Sequence, residues 1–571
     1  MTKDYDLIVI GNSRAGAYAA LAATQLKARV ALIEPENLQS NWLGQEALYN
    51  QALIQVGRVF QQVRKAPKFG IDSAINHSIS DTAELKKQLV KQSGEVYRDE
   101  QWQVWEAEKE DIRTYLSPLE STAHFPTVEI PDAMEWAEMV VSTCSEATSP
   151  AILASFGVDI ISGNGEFCRL PHLGFVVNNR RLRARAYLIA TESCPEIPDI
   201  DGLDTISYCT PRNIWQHIAT YQGTSRDKVI ETGLNDTVPQ ETDKLTKPSS
   251  QEKPENLEET IPFKLQKNWL VAGSTPNAIE LAQTLARLDC QVTLAVSESL
   301  IFPQEDAEAS RLVQAQLEAE GIRVLTQSPV TQVKWIEGKK WVQVGNRAIE
   351  TDEILLATGQ TPNIESLNLA GVGVKFSQKG LKLNPKLQTT NPRIYACGDV
   401  IGGYQFEHIA EYEASIAVKN ALFFPRWTVD YQGIPWAIFT DPILARVGLT
   451  EAQARRRYGK NIWVVRQYFK TLDKAQIIGE TTGFCKLVLR RNGTILGGLI
   501  VGANADELIG AIALLIRHKI KVGSLAKMPQ ALPTMSEILY KTAQEWQRQR
   551  LEGNKMLQNL LEGFFNWRRK W

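Results

Sequence analysis

Hydrophobic and polar positions along the chain fall into two blocks built on one plan. The apolar run Leu7-Ile8-Val9-Ile10 reads as a buried strand, Gly11-Asn12-Ser13-Arg14-Ala15-Gly16 as a tight turn, and the alanine-rich stretch from Ala17 to about Leu26 as a helix. A second strand, Val30 to Ile33, ends at Glu34. This is a β-α-β unit with an acidic residue about 20 residues beyond the glycines. The second block runs through the strand Trp269–Ala272, the turn Gly273-Ser274-Thr275-Pro276-Asn277-Ala278, a helix from Glu280 to Leu288 and the strand Val292–Val296. Two such units predict an α/β fold with two Rossmann-like domains, one inserted within the other.

From Val429 to about Trp546 the pattern changes. Strand-like runs (Ala445–Val447, Cys485–Leu489) alternate with helices (Glu507 to His518, Met535 to Glu545), as in a separate α+β domain. Beyond it Met556, Leu557, Leu560, Leu561, Phe564, Phe565 and Trp567 recur as on one helical face, followed by Arg568, Arg569, Lys570 and Trp571. Two stretches break the plan. Residues from about 71 to 130, rich in Glu, Lys, Ser and Gln, read as a partly helical insertion. Residues 211–265, most clearly from about 223 to 258, read as a disordered polar linker with too little apolar surface to offset its ordering entropy.

Composition narrows the function class. At about 150 residues per domain the 571 residues suggest three or four domains. With 63 Lys+Arg against 65 Asp+Glu there is no basic excess of the kind that nucleic-acid binding asks for. No apolar run reaches the ~18 residues needed to span a bilayer, and the acidic start Met1–Asp6 does not suit a signal peptide, so a cytoplasmic location is expected. Seven cysteines are scattered without a CxxC or CxxxxC pair, and six histidines lack an HxxxH or HExxH pattern, so no zinc site is expected.

The first turn carries the chemistry of a dinucleotide site. Gly11 makes the turn, the helix start offers N–H groups to a pyrophosphate, Gly16 sits within the helix start, and Glu34 is placed to take ribose hydroxyls. More specific stretches follow: Leu355-Leu356-Ala357-Thr358-Gly359-Gln360-Thr361-Pro362-Asn363, Asn391-Pro392-Arg393-Ile394-Tyr395-Ala396-Cys397-Gly398-Asp399-Val400, Thr440-Asp441-Pro442 and Val501–Leu508. With these, the sequence resembles the class I pyridine nucleotide-disulfide oxidoreductases, the family of dihydrolipoamide dehydrogenase, glutathione reductase and mercuric-reductase-like proteins. The resemblance implies FAD as cofactor, NAD(P)H as electron donor and a homodimer. It implies an FAD-binding domain at 1–210 that resumes at 386–428, an NAD(P)-binding-like domain at 266–385, a dimerisation domain at 429–545 and an added tail at 546–571. Thr191, Gly359, Gly398 and Asp399 fall on its flavin motifs, with Asp399 at the ribityl chain. His408 and Ala410 open a helix that points at the flavin ring, and Gly273 begins the second fingerprint.

Departures from the family matter as much. Its redox motif GGTCLNVGCIPSKALL aligns with Gln39–Ile54, so Trp42 and Ala47 stand at the two cysteine positions. Gln51 replaces the lysine near flavin N5, while that lysine's glutamate partner remains as Glu280. Leu532 replaces the general-acid histidine, while Glu537, which would orient it, remains and reads as a surface or helix-capping carboxylate. Thiol–disulfide exchange needs a thiolate and a base, and both are gone together. In the fingerprints, Ser13 and Thr275 replace central glycines, Val296 replaces the ribose acid, and Glu192 replaces a glycine after Thr191. Arg14 is left between a phosphate contact and plain solvation. The expected function is transfer of electrons from NAD(P)H through FAD to a non-disulfide acceptor. The alternative is a non-catalytic FAD-binding protein that senses or binds a partner. For the tail, contact with a membrane surface stands beside packing on the protein's own dimer.

Overall fold

The computed structural model describes residues 4–35, 46–71, 128–219 and 267–571. The insertion expected at 71–130 and most of the linker therefore lie outside the described residues. Strands β1 (Tyr5–Ile10), β2 (Val30–Glu34), β3 (Val158–Ser162) and β4 (Ala184–Ile189) run parallel. Leu7, Ile8 and Val9 are buried on both faces of β1, as an interior parallel strand requires. Helix α1 (Arg14–Gln25) lays Ala15, Ala19, Ala20 and Ala23 inward. Helices α2 (Glu46–Lys65) and α3 (Ile130–Ser145) share a core through Tyr49, Ala52, Leu53, Ala133, Ala137 and Val141.

The second unit has β5 (Asn268–Ala272), α4 (Pro276–Arg287), β6 (Gln291–Ala295), α5 (Ala307–Ala319), β7 (Arg323–Leu325) and β8 (Glu353–Leu356), in a parallel sheet ordered β7-β6-β5-β8. The chain then returns to the first sheet: β9 (Ile394–Ala396) pairs with β4, giving the order β9-β4-β1-β2-β3. Helix α6 (Glu407–Leu422) follows and packs Ala414, Ala417 and Ala421 against the alanines of α1. One unit is thus inserted in the other.

The C-terminal sheet is antiparallel, with β10 (Pro435–Ile438), β11 (Ile443–Gly448), β12 (Ile462–Tyr468), β13 (Phe484–Arg490) and β14 (Ile495–Gly502) ordered β10-β11-β14-β13-β12. Helices α7 (Ala505–Arg517) and α8 (Glu537–Glu552) pack against this sheet. Helix α9 (Lys555–Arg568) extends beyond them. Among the described residues no helix is long and apolar enough to cross a membrane.

The linker expected at 211–265 starts later than its average polarity suggests. Residues 214–219 are helical, and Ile214, Trp215 and Ile218 are buried in the core that joins α2, α3 and the second unit. Apolar residues at spacings of one, three and four suffice to anchor a short helix, and composition averaged over a longer window hides them.

The second unit is joined to the C-terminal domain by a buried guanidinium. Arg287 donates from Nε and Nη2 to Glu320 at 2.9 and 2.8 Å, and from Nη2 to Asp441 at 2.7 Å. The Arg287 stem passes beside Gly57 of α2, where a Cβ would lie in ordinary contact, 3.5 Å from the Cβ of Arg287. Removing one member of such a pair leaves the other charge buried without compensation. Arg287→Met is therefore expected to destabilise the protein by about 3 kcal/mol, read as a lower urea midpoint. An unchanged midpoint would show that the bridge contributes nothing.

Candidate functional site

The C-terminal ends of β1, β4 and β9 meet the N-termini of α1 and α6, the crevice where α/β sheets hold nucleotides. Gly11 has φ +105, and a Cβ on it would lie 2.3 Å from the Ala190 carbonyl oxygen. On Gly16 a Cβ would lie 2.1 Å from the Gly11 oxygen. Neither position has room for a side chain, so strand, turn and helix pack backbone against backbone. Ser13, at the central glycine position, is the N-cap of α1, and its Oγ accepts the Gly16 N–H at 3.0 Å. The hydroxyl proton remains available for donation. Glu34 stands at the end of β2, where its Oε1 accepts from the Asn12 side-chain amide at 2.8 Å.

Arg14 is held by two carboxylates of α6. Its Nη1 and Nε each reach a carboxylate of α6, Glu407 and Glu411, at 2.8 Å. Those two acids lie four residues apart and so share a helix face.

The second flavin motif closes the crevice. Gly398, with φ +76, donates its N–H to Glu413 Oε2 at 2.8 Å, and a Cβ on it would meet the Ala410 Cβ at 3.3 Å. Asp399 accepts from Ser193 Oγ at 3.1 Å, and burial raises its carboxyl above the usual aspartate range. Thr191 Oγ1 donates to the Asn363 carbonyl at 2.7 Å. Gly359 packs against Glu196, with 2.3 Å between a hypothetical Cβ and Glu196 Oε2.

Glu192 has φ +60, a left-handed backbone that favours glycine. Its carboxyl lies 3.7 Å from Arg212 Nη2, while Arg212 Nε donates to Glu46 at 2.8 Å. Burial first and the charge of Glu46 second push Glu192 up to about 7, against the pull of Arg212. The sequence shows Glu192 in a glycine's place but not its neighbours Arg212 and Glu46, which come from two distant segments.

Gln51 Nε2 donates to Glu280 Oε2 at 3.4 Å, and Glu280 Oε1 accepts the Phe439 N–H at 2.6 Å. Burial pushes Glu280 up to about 7; the Phe439 N–H, Arg58 and Gln51 pull it down. His408 is exposed, and its Nε2 lies 2.8 Å from the Pro435 carbonyl of β10, so one ring nitrogen is engaged with the C-terminal domain. Ala47 lies in the first turn of α2. Trp42 falls outside the described residues. Leu532 is exposed, whereas Glu537 is buried at the start of α8 and paired with Lys541 at 3.0 Å, a helix-start carboxylate rather than a surface one. All seven cysteines are free thiols, and four are buried.

The second fingerprint repeats the cradle but fills it differently. Gly273 has φ +138, and its Cβ would lie 2.1 Å from the Ala357 oxygen. Thr275 caps α4: its Oγ1 accepts from Ala278 N at 3.3 Å and donates to Ala357 O at 2.8 Å. Pro276 follows and has no N–H to offer an anion. Val296 is buried after β6, with no group to bind a ribose hydroxyl.

One group among the described residues has metal-ligand character. Ligand atoms of Cys209, His217 and Glu353 lie within 4.8 Å of one another. Lys340 Nζ already stands 2.6 Å from Glu353 Oε2 and supplies the positive charge that this carboxylate needs.

These features recur in known proteins. The chain matches the pyridine nucleotide-disulphide oxidoreductase family over residues 5–414 and that family's dimerisation domain over residues 434–543. The chain belongs to the pyridine nucleotide-disulfide oxidoreductase family. A mercuric reductase of Staphylococcus aureus is 26% identical over 541 residues, covering 94% of this chain and 81% of that protein. A dihydrolipoyl dehydrogenase of Bacillus subtilis (strain 168) is 34% identical over 274 residues, 48% of this chain and 59% of that one. The flavoprotein disulfide reductase RclA from Escherichia coli, solved as a Cu(II) complex, shares the fold with TM-score 0.68 at 19% identity, over 95% of this chain and 99% of that one. FAD is the family's cofactor and NAD(P)H its substrate, and the glycine cradle described above suits the first of these.

Two outcomes follow for this family member. Gly11→Ala is expected to lower flavin content by absorbance and the thermal midpoint together, since its Cβ would strike the Ala190 backbone; full flavin content at an unchanged midpoint would contradict the cradle. The second concerns pH. Glu280 titrates near 4.5 when unfolded and at about 7 when folded. Stability from this group is complete below the unfolded value and is lost as pH rises through the folded one. Glu280→Gln keeps the acceptor for Phe439, so the variant should gain on the wild type by up to about 3 kcal/mol between pH 4.5 and 8. Parallel stability–pH curves would refute this assignment.

Proposed function

We propose that this chain is an FAD-dependent oxidoreductase that moves electrons from NAD(P)H to a small non-disulfide acceptor such as a quinone. The observation that carries the reading is the first half of α2. Ala47 stands in its first turn where the family has a redox cysteine, and Gln51 is held by Glu280 where the family has a lysine.

Bound FAD would accept a hydride equivalent and release two electrons. The chain binds and orients. Gly11 and Gly16 let strand, turn and helix pack backbone to backbone and so bring the helix start to the pyrophosphate, Ser13 and the first turn of α1 donate to phosphate, and Glu34 holds ribose hydroxyls. Thr191, Gly359, Gly398, Asp399 and Ala410 line the ribityl and ring side. Gln51 is neutral, so no fixed ammonium stands beside the ring. His408 serves as a link from the start of α6 to β10. The balance is NAD(P)H, a proton and a quinone giving NAD(P)+ and a quinol.

A cavity of about 260 Å³ lined by Tyr49, Asn50, Met134, Arg212 and Trp215 adjoins the start of α2 and offers room for a flat, mainly apolar acceptor. Trp215 Nε1 donates to Asn50 Oδ1 at 2.6 Å and holds that wall. A homodimer through the 434–543 domain fits the same family.

The second reading is a flavoprotein without turnover. It is favoured by Thr275, Pro276 and Val296, which weaken the donor's site. Anaerobic titration with NADH and NADPH, followed by turnover assays with a quinone, oxidised glutathione, lipoamide and Hg(II), separates the two. Bleaching of the flavin band and quinone turnover are expected, with no disulfide or Hg(II) reduction. Disulfide or Hg(II) turnover would overturn the acceptor class, and a flavin that neither nucleotide reduces would favour the second reading.

A further inference from the structure

Helix α9 forms on local grounds. Asn554 caps it, with Oδ1 accepting the Leu557 N–H at 3.1 Å, and Arg568 sits in its last turn. Yet none of its residues is buried, and α8 is the helix it touches. At about 100° per residue Met556, Leu557, Leu560, Leu561, Phe564, Phe565, Trp567 and the following Trp571 occupy one half of the wheel. The other half carries Lys555, Gln558, Asn559, Glu562, Asn566, Arg569 and Lys570. The apolar half faces water: Met556 is 84%, Leu560 65%, Trp567 59% and Trp571 94% exposed. Phe564, Trp567 and Trp571 form a row, with ring centroids 6.2 and 6.1 Å apart.

We propose that α9 docks this protein onto an anionic lipid surface. Charge chooses this occupant. From Lys555 to Trp571 the segment carries four basic residues against one acidic, and three of the four, Arg568, Arg569 and Lys570, are consecutive beside the tryptophans. Arg568 falls within the apolar half. In a bilayer interface its stem lies among acyl chains while its guanidinium reaches a lipid phosphate. Tryptophan suits the same depth, with an apolar ring and one N–H donor. A fourteen-residue helix is about 21 Å long, too short for a ~30 Å hydrocarbon core, so it lies in the plane of the surface. This inference does not rest on the proposed acceptor.

The test is flotation of the full-length flavoprotein with phosphatidylcholine vesicles and with vesicles in which phosphatidylglycerol replaces part of the phosphatidylcholine. Binding to the anionic vesicles alone is expected at low salt, with release at about 1 M salt, where the Debye length is about 3 Å. The double variant Leu560→Glu, Phe564→Glu should lose about tenfold or more of the bound fraction. Arg569→Glu, Lys570→Glu should lose anionic selectivity. Both variants should keep flavin content and subunit number by light scattering. Protein that stays in solution with both vesicle types overturns the proposal. So does a double Glu variant that still floats, or one whose subunit number falls, since a second copy of the chain would then be the occupant.

Discussion

The structure depends on a backbone contact that no side chain can enter. Where β1 ends, Gly11 presses on the Ala190 carbonyl; where β5 ends, Gly273 presses on Ala357. Each glycine has positive φ and turns the chain from strand into helix within a few residues. Because strand, turn and helix touch through backbone alone, the helix start is carried to the mouth of the sheet, where its N–H groups are concentrated. The alanines of α1 and α6 extend the same close packing, and β9 returns beside β4.

The two cradles share this geometry and differ in what fills it. In the first, Ser13 caps the helix and Glu34 stands ready at the end of β2. In the second, a threonine hydroxyl bridges the helix start to the neighbouring strand, a proline removes a donor, and a buried valine occupies the acid's position. Both units have this backbone shape, while the first alone places a carboxylate, Glu34, at the end of its second strand. Packing constrains a whole domain, whereas a ribose clamp serves only its ligand.

Charge around the first site is arranged as paired groups. Arg14 holds Glu407 and Glu411, and Arg212 stands between Glu46 and Glu192. Glu280, Glu192 and Glu413 are all raised to about 7 by burial.

The sequence by itself determined the two β-α-β units, the inserted order, the C-terminal α+β domain and the helical tail. These follow from local periodicity and from glycines whose backbone allows no substitute. It also showed Trp42, Ala47 and Gln51 in place of the redox cysteines and lysine, because all three sit in one collinear stretch, Gln39–Ile54, while Glu280 was marked only by the family resemblance. Only the tertiary structure decided that Arg14 faces α6, that His408 reaches Pro435, and that Glu192 shares Arg212 with Glu46. Those partners lie up to 397 residues apart in the chain, and a side chain's charge partner is set by packing, which single-sequence spacing does not encode. The same limit hid the burial of Ile214, Trp215 and Ile218 and the exposure of the apolar face of α9. Both segments have helical periodicity; whether such a face meets a core or water depends on which surface the rest of the fold brings to it.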